Sequence, residues 1–390
     1  VDKMKRLEDI NLDDKAVIVR CDLNVPMENG IITDDNRIIK SIPTIKYLYE
    51  NAKSVVILSH LGRIKNKEDE KKNTLEPVCN YLSKKLNIDI TFCTYLEDVK
   101  KVVSENKIVM LENTRFFDLD NNKESNNDLS LAKFFASLGD VFVNDAFGVS
   151  HRNAASVVGI SNYLPSYMGF LVREEIEKLN IIRNNPIKPF TVILGGSKVK
   201  DKIGLITNLI DKVDNLVIVG GMAFTFLKAM NINIGKSILD TENIDYAKDI
   251  LEKYGNKIVL PIDFYTNTEF SNNGNKVLRN VKDIKDNEIG LDIGPETIKL
   301  IENRIKNSKT VFVNGPAGAF ELSNYAYGTK EIFEILKNID SIVVIGGGDS
   351  ASAAIRFGYK NAFTHISTGG GASLEYIEGR KLPGIECLSE

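Results

Sequence analysis

Cysteine is scarce. The 390 residues hold four, Cys21, Cys79, Cys93 and Cys387. None stands at Cys-x-x-Cys or other metal-ligand spacing, which excludes a disulfide scaffold and a zinc site and predicts reduced packing residues of a cytosolic protein. No apolar run approaches the length of a membrane span. The stretch "VDKMKRLEDINLDDK" has no signal-peptide core, so a cytoplasmic protein is expected. An excess of positive charge is also missing: 50 Lys and Arg stand against 53 Asp and Glu, a net charge of −3. That argues against a nucleic-acid-binding surface. Arginine is the rarer base, outnumbered by lysine roughly three to one.

What is present is a repeated unit. With 43% hydrophobic and 26% charged residues, the composition is that of a soluble globular protein. The length predicts two domains. Short β-branched runs end abruptly in polar residues or glycine, and a helical pattern follows each. The first half has "AVIVRCD", "SVVILSH", "IDITFC", "KIVMLEN" and "DVFVNDA". The second has "FTVILGG", "NLVIVGG", "KIVLPID", "EIGLDIG", "TVFVNGP", "SIVVIGGG" and "FTHISTGGG". Near-continuous apolar strands alternating with helices predict an α/β fold of two doubly wound, parallel-sheet lobes. Between them "LPSYMGFLVREEIEKLNIIRNNPIKP" is expected to form one connecting helix, with Phe170, Leu171, Ile176 and Leu179 apolar and an Asn-Asn-Pro stop.

Ligands of open α/β sheets bind beyond the carboxyl ends of the strands. There the first half offers Asp22 and Asn24, His60 and Arg63 in "SHLGR", Asn113 and Arg115 in "LENTRF", and Asn144 with Asp145. His151 and Arg152 follow, and Arg37 comes after the turn at Gly30. Arginines at several strand ends of a lysine-preferring chain point to bidentate recognition of carboxylate or phosphate. For any single arginine a structural ion pair is about as good a reading, and a lone histidine is more often a packing residue. The set favours an anion site.

The second half offers glycine. "LGGSKVKDKI" places Lys198 and Lys202 four apart, expected on one face of a helix that starts at a Gly-Gly turn. Two ammonium groups beside helix N–H donors suit polyphosphate, although a solvated lysine face reads as well for the segment alone. The Walker A spacing is absent. "IVGGMAFTF", "VNGPAGAFE", "IGGGDSA" and "STGGGASLE" repeat the strand-then-glycine theme. In "GGGDSA", Gly346, Gly348 and Ala351 match a dinucleotide fingerprint, which leaves a nicotinamide oxidoreductase as a rival. That motif calls for an acid about twenty residues on, at the end of the next strand. "THIST" ends in another triple glycine instead. A carboxylate repels a bare pyrophosphate, but Mg²⁺ between them makes Asp349 sensible as a metal ligand, since magnesium takes one or two carboxylates plus substrate phosphates. A helix-capping aspartate is the second reading. A non-catalytic two-lobed binding protein is a third possibility for the chain, and it needs no such carboxylate.

The stretches "RCDLNVP", "SHLGR", "LENTRF", "VNDAFGVSHR", "LGGSKVKDKI", "GGMAFTF", "DIGPET", "NGPAGAFE", "GGGDSA" and "STGGGASLEYIEGRKLPGI" together resemble the phosphoglycerate kinases, in order and over essentially the whole chain. The resemblance implies reversible transfer of the acyl phosphate of 1,3-bisphosphoglycerate to Mg-ADP, giving 3-phosphoglycerate and ATP. It implies a cytoplasmic, hinge-bending monomer with no nucleic-acid or membrane partner. The phosphoglycerate lobe would span 1–168 with a returning segment 373–390, the hinge 169–185, and the nucleotide lobe 186–372. By matching motifs, Asp22, Asn24, Arg37, His60, Arg63, Arg115, His151 and Arg152 would hold phosphoglycerate. Gly196, Gly220, Gly221, Leu291 and Pro316 would line the adenine site, with Glu321 at the ribose. Lys198, Lys202, Asn314, Gly346, Gly347, Gly348, Ser350 and Gly370 would lie at the phosphates and Asp349 at Mg²⁺. Arg37, Lys198, Gly348 and Gly371 would surround the phosphoryl group in transfer. Two residues depart from the family pattern: Val219 replaces a glycine, and the sequence leaves its effect at the nucleotide rim open; Ser350 replaces a threonine and keeps the hydroxyl, so little change is expected.

Overall fold

Side-chain alternation along the strands explains why the sheets are covered on both faces. In the strand Ala16–Arg20, Val17 and Val19 pack into one core while Ile18 packs into another across the sheet. Val55 and Ile57 against Val56 and Leu58 repeat the pattern, as do Val141 and Val143 against Phe142. Each strand is therefore apolar at nearly every position, as buried parallel strands require.

The structure is a computed structural model describing residues 4–389. The chain divides into two units, residues up to 177 together with those from 381 onward, and residues 178–380. The first unit holds a six-stranded parallel sheet in the order Thr91–Cys93, Ile108–Leu111, Ser54–Leu58, Ala16–Arg20, Val141–Asn144, Ser166–Met168. The second holds another, in the order Ile258–Val259, Asn215–Ile218, Phe190–Leu194, Thr310–Asn314, Ile342–Gly346, His365–Ile366. In each, the first strand of the unit is central and the chain order turns about it. Its neighbours' loops leave in opposite directions and open a crevice at the carboxyl ends.

Three expectations need correction. The stretch from Leu164 is not one helix: Ser166–Met168 is a strand, and the helix runs Phe170–Arg183. Three residues between Pro165 and Gly169 are too few to carry a periodic signal. Asp145 fixes the helix start, its Oδ1 accepting from Leu171 N and from the Thr44 hydroxyl at 3.0 Å each. Burial pushes that carboxyl up to about 7. Gly169 has to be glycine, since a Cβ would come within 2.1 Å of Asp145 Oδ1. Next, "EIGLDIG" does not join the parallel sheet. Ile289–Ile293 pairs antiparallel with Asp263–Asn267, which pairs in turn with Val277–Asn280, a strand with no counterpart in the sequence reading. "KIVLPID" is split for a different reason: Pro261 has no N–H for a ladder, so Ile258–Val259 stops short of it. The third concerns the lysine pair and belongs with the site below.

All four cysteines are free, three of them buried and Cys387 half-buried. No helix among the described residues is long and apolar enough to cross a membrane.

Candidate active site

In the first unit the strand-end segments are tied into one network. Arg37, in the first turn of the helix Asn36–Asn51, donates from Nη1 to Asn24 O at 2.9 Å and reaches Asp22 Oδ1 at 3.4 Å. Asn24 Oδ1 accepts from Gly62 N at 2.9 Å, and Gly62 O accepts from Arg115 Nη1 at 2.6 Å. Asn113 holds the "SHLGR" loop down by donating to Leu61 O at 2.6 Å. Asp22, Asn24, Arg37, Arg115 and the His60 segment are thus brought together.

Behind them Arg20, Arg115 and Arg152 line a cavity of about 250 Å³ whose one acidic wall residue is Glu124. That carboxylate is occupied by Ser156, through N at 2.8 Å and Oγ at 2.6 Å. Burial and the neighbouring Arg20 and Arg152 lower the Arg115 pKa. Cations crowded together without a free acid make a site for an anion. His60 is buried beside Arg20, and burial with four arginines holds its pKa well below the usual value. Arg63 and Arg152 are exposed, and His151 is half-buried outside the cavity wall. Asn144 is a structural residue, bonded to Ser150 Oγ and Gly384 O.

In the second unit the glycine loops make a wall. Gly315 (φ +95°), Gly196 (φ +101°) and Gly220 (φ +68°) all occupy the left-handed region. Gly196 N donates to Pro316 O, and Gly220 N to Ala317 O. Added side chains do not fit: a Cβ on Gly315 would come within 2.4 Å of the Gly195 carbonyl. Gly315→Ala should therefore combine left-handed strain of about 1–3 kcal/mol with a backbone clash. We expect a lower urea midpoint and weaker nucleotide binding together, measured by denaturation and calorimetry.

This wall borders a cavity of about 550 Å³ containing Gly196, Gly220, Gly221, Leu291, Pro316, Glu321 and Asp349 of the expected residues. Sequence reasoning missed its apolar side, formed by Phe224, Phe264 and Ile289, and the exposed Phe270 and Ile238 at its edge. Asp292 also lines it, with burial pushing its carboxyl up to about 8. Val219 is not in the wall. Its side chain is 1% exposed and belongs to the core.

Lys198 and Lys202 do not share a helix face. Lys198 is extended, a 3-10 turn covers Val199–Lys202, and the α-helix begins only at Ile203. Gly196 in the left-handed region makes that entry. Lys202 is half-buried, lies beside Gly196 and bonds Asn314 Oδ1, while Asn314 Nδ2 donates to Gly346 O at 2.9 Å. Burial lowers the Lys202 pKa, and Asp349 is among the acids opposing that shift. Lys198 is exposed.

The helix Gly348–Arg356 starts after Gly347 (φ +97°), which holds the N-cap position itself. Asp349 is exposed in its first turn and is not the cap. Ser350 is buried, its hydroxyl accepting from Gly315 N. Gly370 and Gly371 open a second helix, Gly371–Ile377, outside the cavity wall. Among the described residues no cluster of three or more His, Cys, Asp or Glu could hold a metal by itself.

An arginine-lined cavity in one parallel-sheet unit, with a glycine-walled cavity beside lysine in another, suits an α/β phosphotransferase. The family model for phosphoglycerate kinase matches residues 7–380. A phosphoglycerate kinase of Staphylococcus aureus is 50% identical over 391 residues, covering 99% of both chains. One from Lactobacillus delbrueckii subsp. bulgaricus is 50% identical, covering 98% of each. Among solved structures, the phosphoglycerate kinase of Coxiella burnetii superposes with a TM-score of 0.86 at 38% identity, over 98% of this chain and 97% of that one. That of Pyrococcus horikoshii OT3 gives 0.85 at 30%, over 99% and 98%. The chain belongs to the phosphoglycerate kinase family. It is a glycolytic phosphotransferase with a carboxyl group as acceptor, and the dinucleotide reading of Gly346, Gly348 and Ala351 falls away.

Proposed function

We propose that the first unit binds 3-phosphoglycerate or 1,3-bisphosphoglycerate and the second binds ADP or ATP, with the acyl phosphate passing reversibly between them. The observation that carries this division is the cavity rich in arginine and poor in free acid in the first unit, against the larger glycine-walled, partly apolar cavity in the second. Asp22, Asn24, Arg37, His60, Arg63, Arg115, His151 and Arg152 hold the phosphoglycerate. Gly196, Gly220, Gly221, Leu291 and Pro316 take the adenine, and Glu321 the ribose. Asn314, Lys202, Ser350 and the amides of Gly346, Gly347, Gly348 and Gly370 face the phosphates. Arg37, Lys198 and the amides of Gly348 and Gly371 meet the phosphoryl group in transfer.

Asp349 fits a magnesium ion. It is an exposed carboxylate on the cavity wall, in the first turn of a helix and not used as a cap, and magnesium bound to a nucleotide needs only one or two carboxylates beside the phosphates. Such an ion neutralises phosphate charge. Phosphoryl transfer otherwise asks for positioning and electrostatics, and the acceptor is already ionised, so no general base is required. Water has to be kept from the acyl phosphate, and a hinge at the helix Phe170–Arg183 would serve that need. A cytoplasmic monomer completes the reading.

A coupled assay of ATP-dependent phosphorylation of 3-phosphoglycerate, with and without Mg²⁺, tests the whole. The division is tested by Arg63→Ala and Arg152→Ala. Both side chains are exposed, so truncation should leave the fold intact. Each should weaken 3-phosphoglycerate by about 1.5–3 kcal/mol, the scale of a charge-assisted hydrogen bond. Nucleotide affinity should hardly move. Equal loss for both ligands in calorimetry would refute the division.

A further inference from the structure

Arg20 ends the central strand of the first sheet and is 2% exposed. Each nitrogen of its guanidinium is engaged. Nε donates to Ser156 Oγ at 2.9 Å, Nη1 to Cys21 O at 2.5 Å, and Nη2 lies 3.1 Å from His60 Nδ1. Ser156 is itself held by Glu124 through its N and Oγ. The guanidinium therefore cannot turn away from the imidazole without leaving a buried N–H unpaired.

A guanidinium has N–H donors and no acceptor, and it stays charged in proteins. The ring nitrogen facing it must supply a lone pair. In a neutral imidazole the hydrogen then lies on the other nitrogen, Nε2. A cationic ring would carry an N–H at both positions and would oppose the Arg20 N–H directly. The charges around the ring act the same way: Arg20 from the strand, Arg37 from the helix Asn36–Asn51, Arg115 and Arg152 all disfavour imidazolium. The nearest acids bear on Arg20, namely Glu124 and Asp22.

We propose that Arg20 is a positioning residue that fixes His60 as a neutral Nε2–H donor toward the phosphoglycerate. The donor function rests on the substrate placement given above; the tautomer does not. Among the arginines, His60 then contributes a directional hydrogen bond without adding a further charge, and it transfers no proton during turnover. Substrate contact at His60 should accordingly be indifferent to pH across the range where an ordinary imidazole titrates.

The chain has only three histidines, so imidazole ¹⁵N signals can be assigned in the whole protein, with His60→Gln marking the relevant set. Long-range ¹H–¹⁵N correlation spectra distinguish the two tautomers and the cation. In the wild-type protein we expect a single Nε2–H tautomer for His60, unchanged from pH 5 to 8. In Arg20→Met the ring should gain an Nδ1–H population or a titration within that range. The KM for 3-phosphoglycerate should rise about tenfold or more, on the scale of a charge-linked hydrogen bond, with kcat changing less. Ser156→Ala, which removes one anchor of Arg20, should move the spectrum the same way to a smaller extent and serves if Arg20→Met does not fold. An Nδ1–H or cationic His60 in the wild-type protein at neutral pH would overturn the proposal. A locked ring whose signals ignore saturating 3-phosphoglycerate would instead overturn the substrate placement while supporting the lock.

Discussion

Replacing Arg37 by lysine is expected to lower kcat by about 10²-fold, the scale on which a lost oxyanion-type donor acts, with much smaller changes in the dissociation constants of both substrates. Charge is conserved in this substitution, so general attraction of the anion persists. What is lost is a planar fork held in place. Arg37 Nη1 is fixed by Asn24 O at 2.9 Å and approaches Asp22 Oδ1 at 3.4 Å, while the side chain remains 35% exposed. The half-exposed ion pair with Asp22 is worth little as a stabilising contact. Its use is to orient the guanidinium and leave further N–H groups for a ligand. A lysine at the same position offers one rotating ammonium that would satisfy Asn24 O or the ligand, but not both in a set geometry. A group that meets the phosphoryl mainly in the transition state affects kcat more than ground-state binding. Steady-state kinetics combined with direct binding decides the point: an unchanged kcat with a raised KM would make Arg37 a ground-state anchor.

Much of this architecture was legible because buried parallel strands leave a dense apolar signature. Val17, Ile18 and Val19 read as a strand for the same reason that they fill cores on both faces of one sheet. The arginine pattern stood out for another reason, since arginines recur at the strand ends of a chain that prefers lysine, and the structure lines one cavity with Arg115 and Arg152 of that set. Features fixed by few residues or by long-range pairing were not legible. Ser166–Met168 is a strand only because Val141–Asn144 lies beside it. Ile289–Ile293 looked like one more parallel strand, yet its partner is Asp263–Asn267 and the pairing is antiparallel. The spacing of Lys198 and Lys202 suggested one helix face, but Gly196 in the left-handed region sends the chain through an extended residue and a 3-10 turn. Arg20 was in plain view in "RCDLNVP". Its position at the end of a buried run, where a charge is costly without partners, was the signal that could have found it.

Asp349→Asn is expected to weaken Mg-ADP at least about tenfold, since even outer-shell partners of metal ligands carry 10–100-fold effects. Metal-free ADP should bind as well as before or slightly better, and 3-phosphoglycerate affinity should not change. The substitution is nearly isosteric, and the position is an exposed residue in the first turn of Gly348–Arg356. Because Gly347 holds the N-cap position, with no side-chain cap bond, the helix loses no capping contact. Loss of the carboxylate does remove a favourable charge at the helix N-terminus, which typically contributes only about 0.3–1 kcal/mol. It also removes one of the acids that support the Lys202 ammonium against burial. Both of those effects act alike on nucleotide with and without metal. Removing the carboxylate's direct repulsion of phosphate favours the metal-free form alone, whereas losing a ligand penalises the metal complex alone. The difference between the two titrations therefore isolates the metal-binding role from the helix-terminus role. Calorimetry that found equal losses for ADP and Mg-ADP would leave Asp349 as a helix-terminus charge and return the magnesium ion to the phosphates alone.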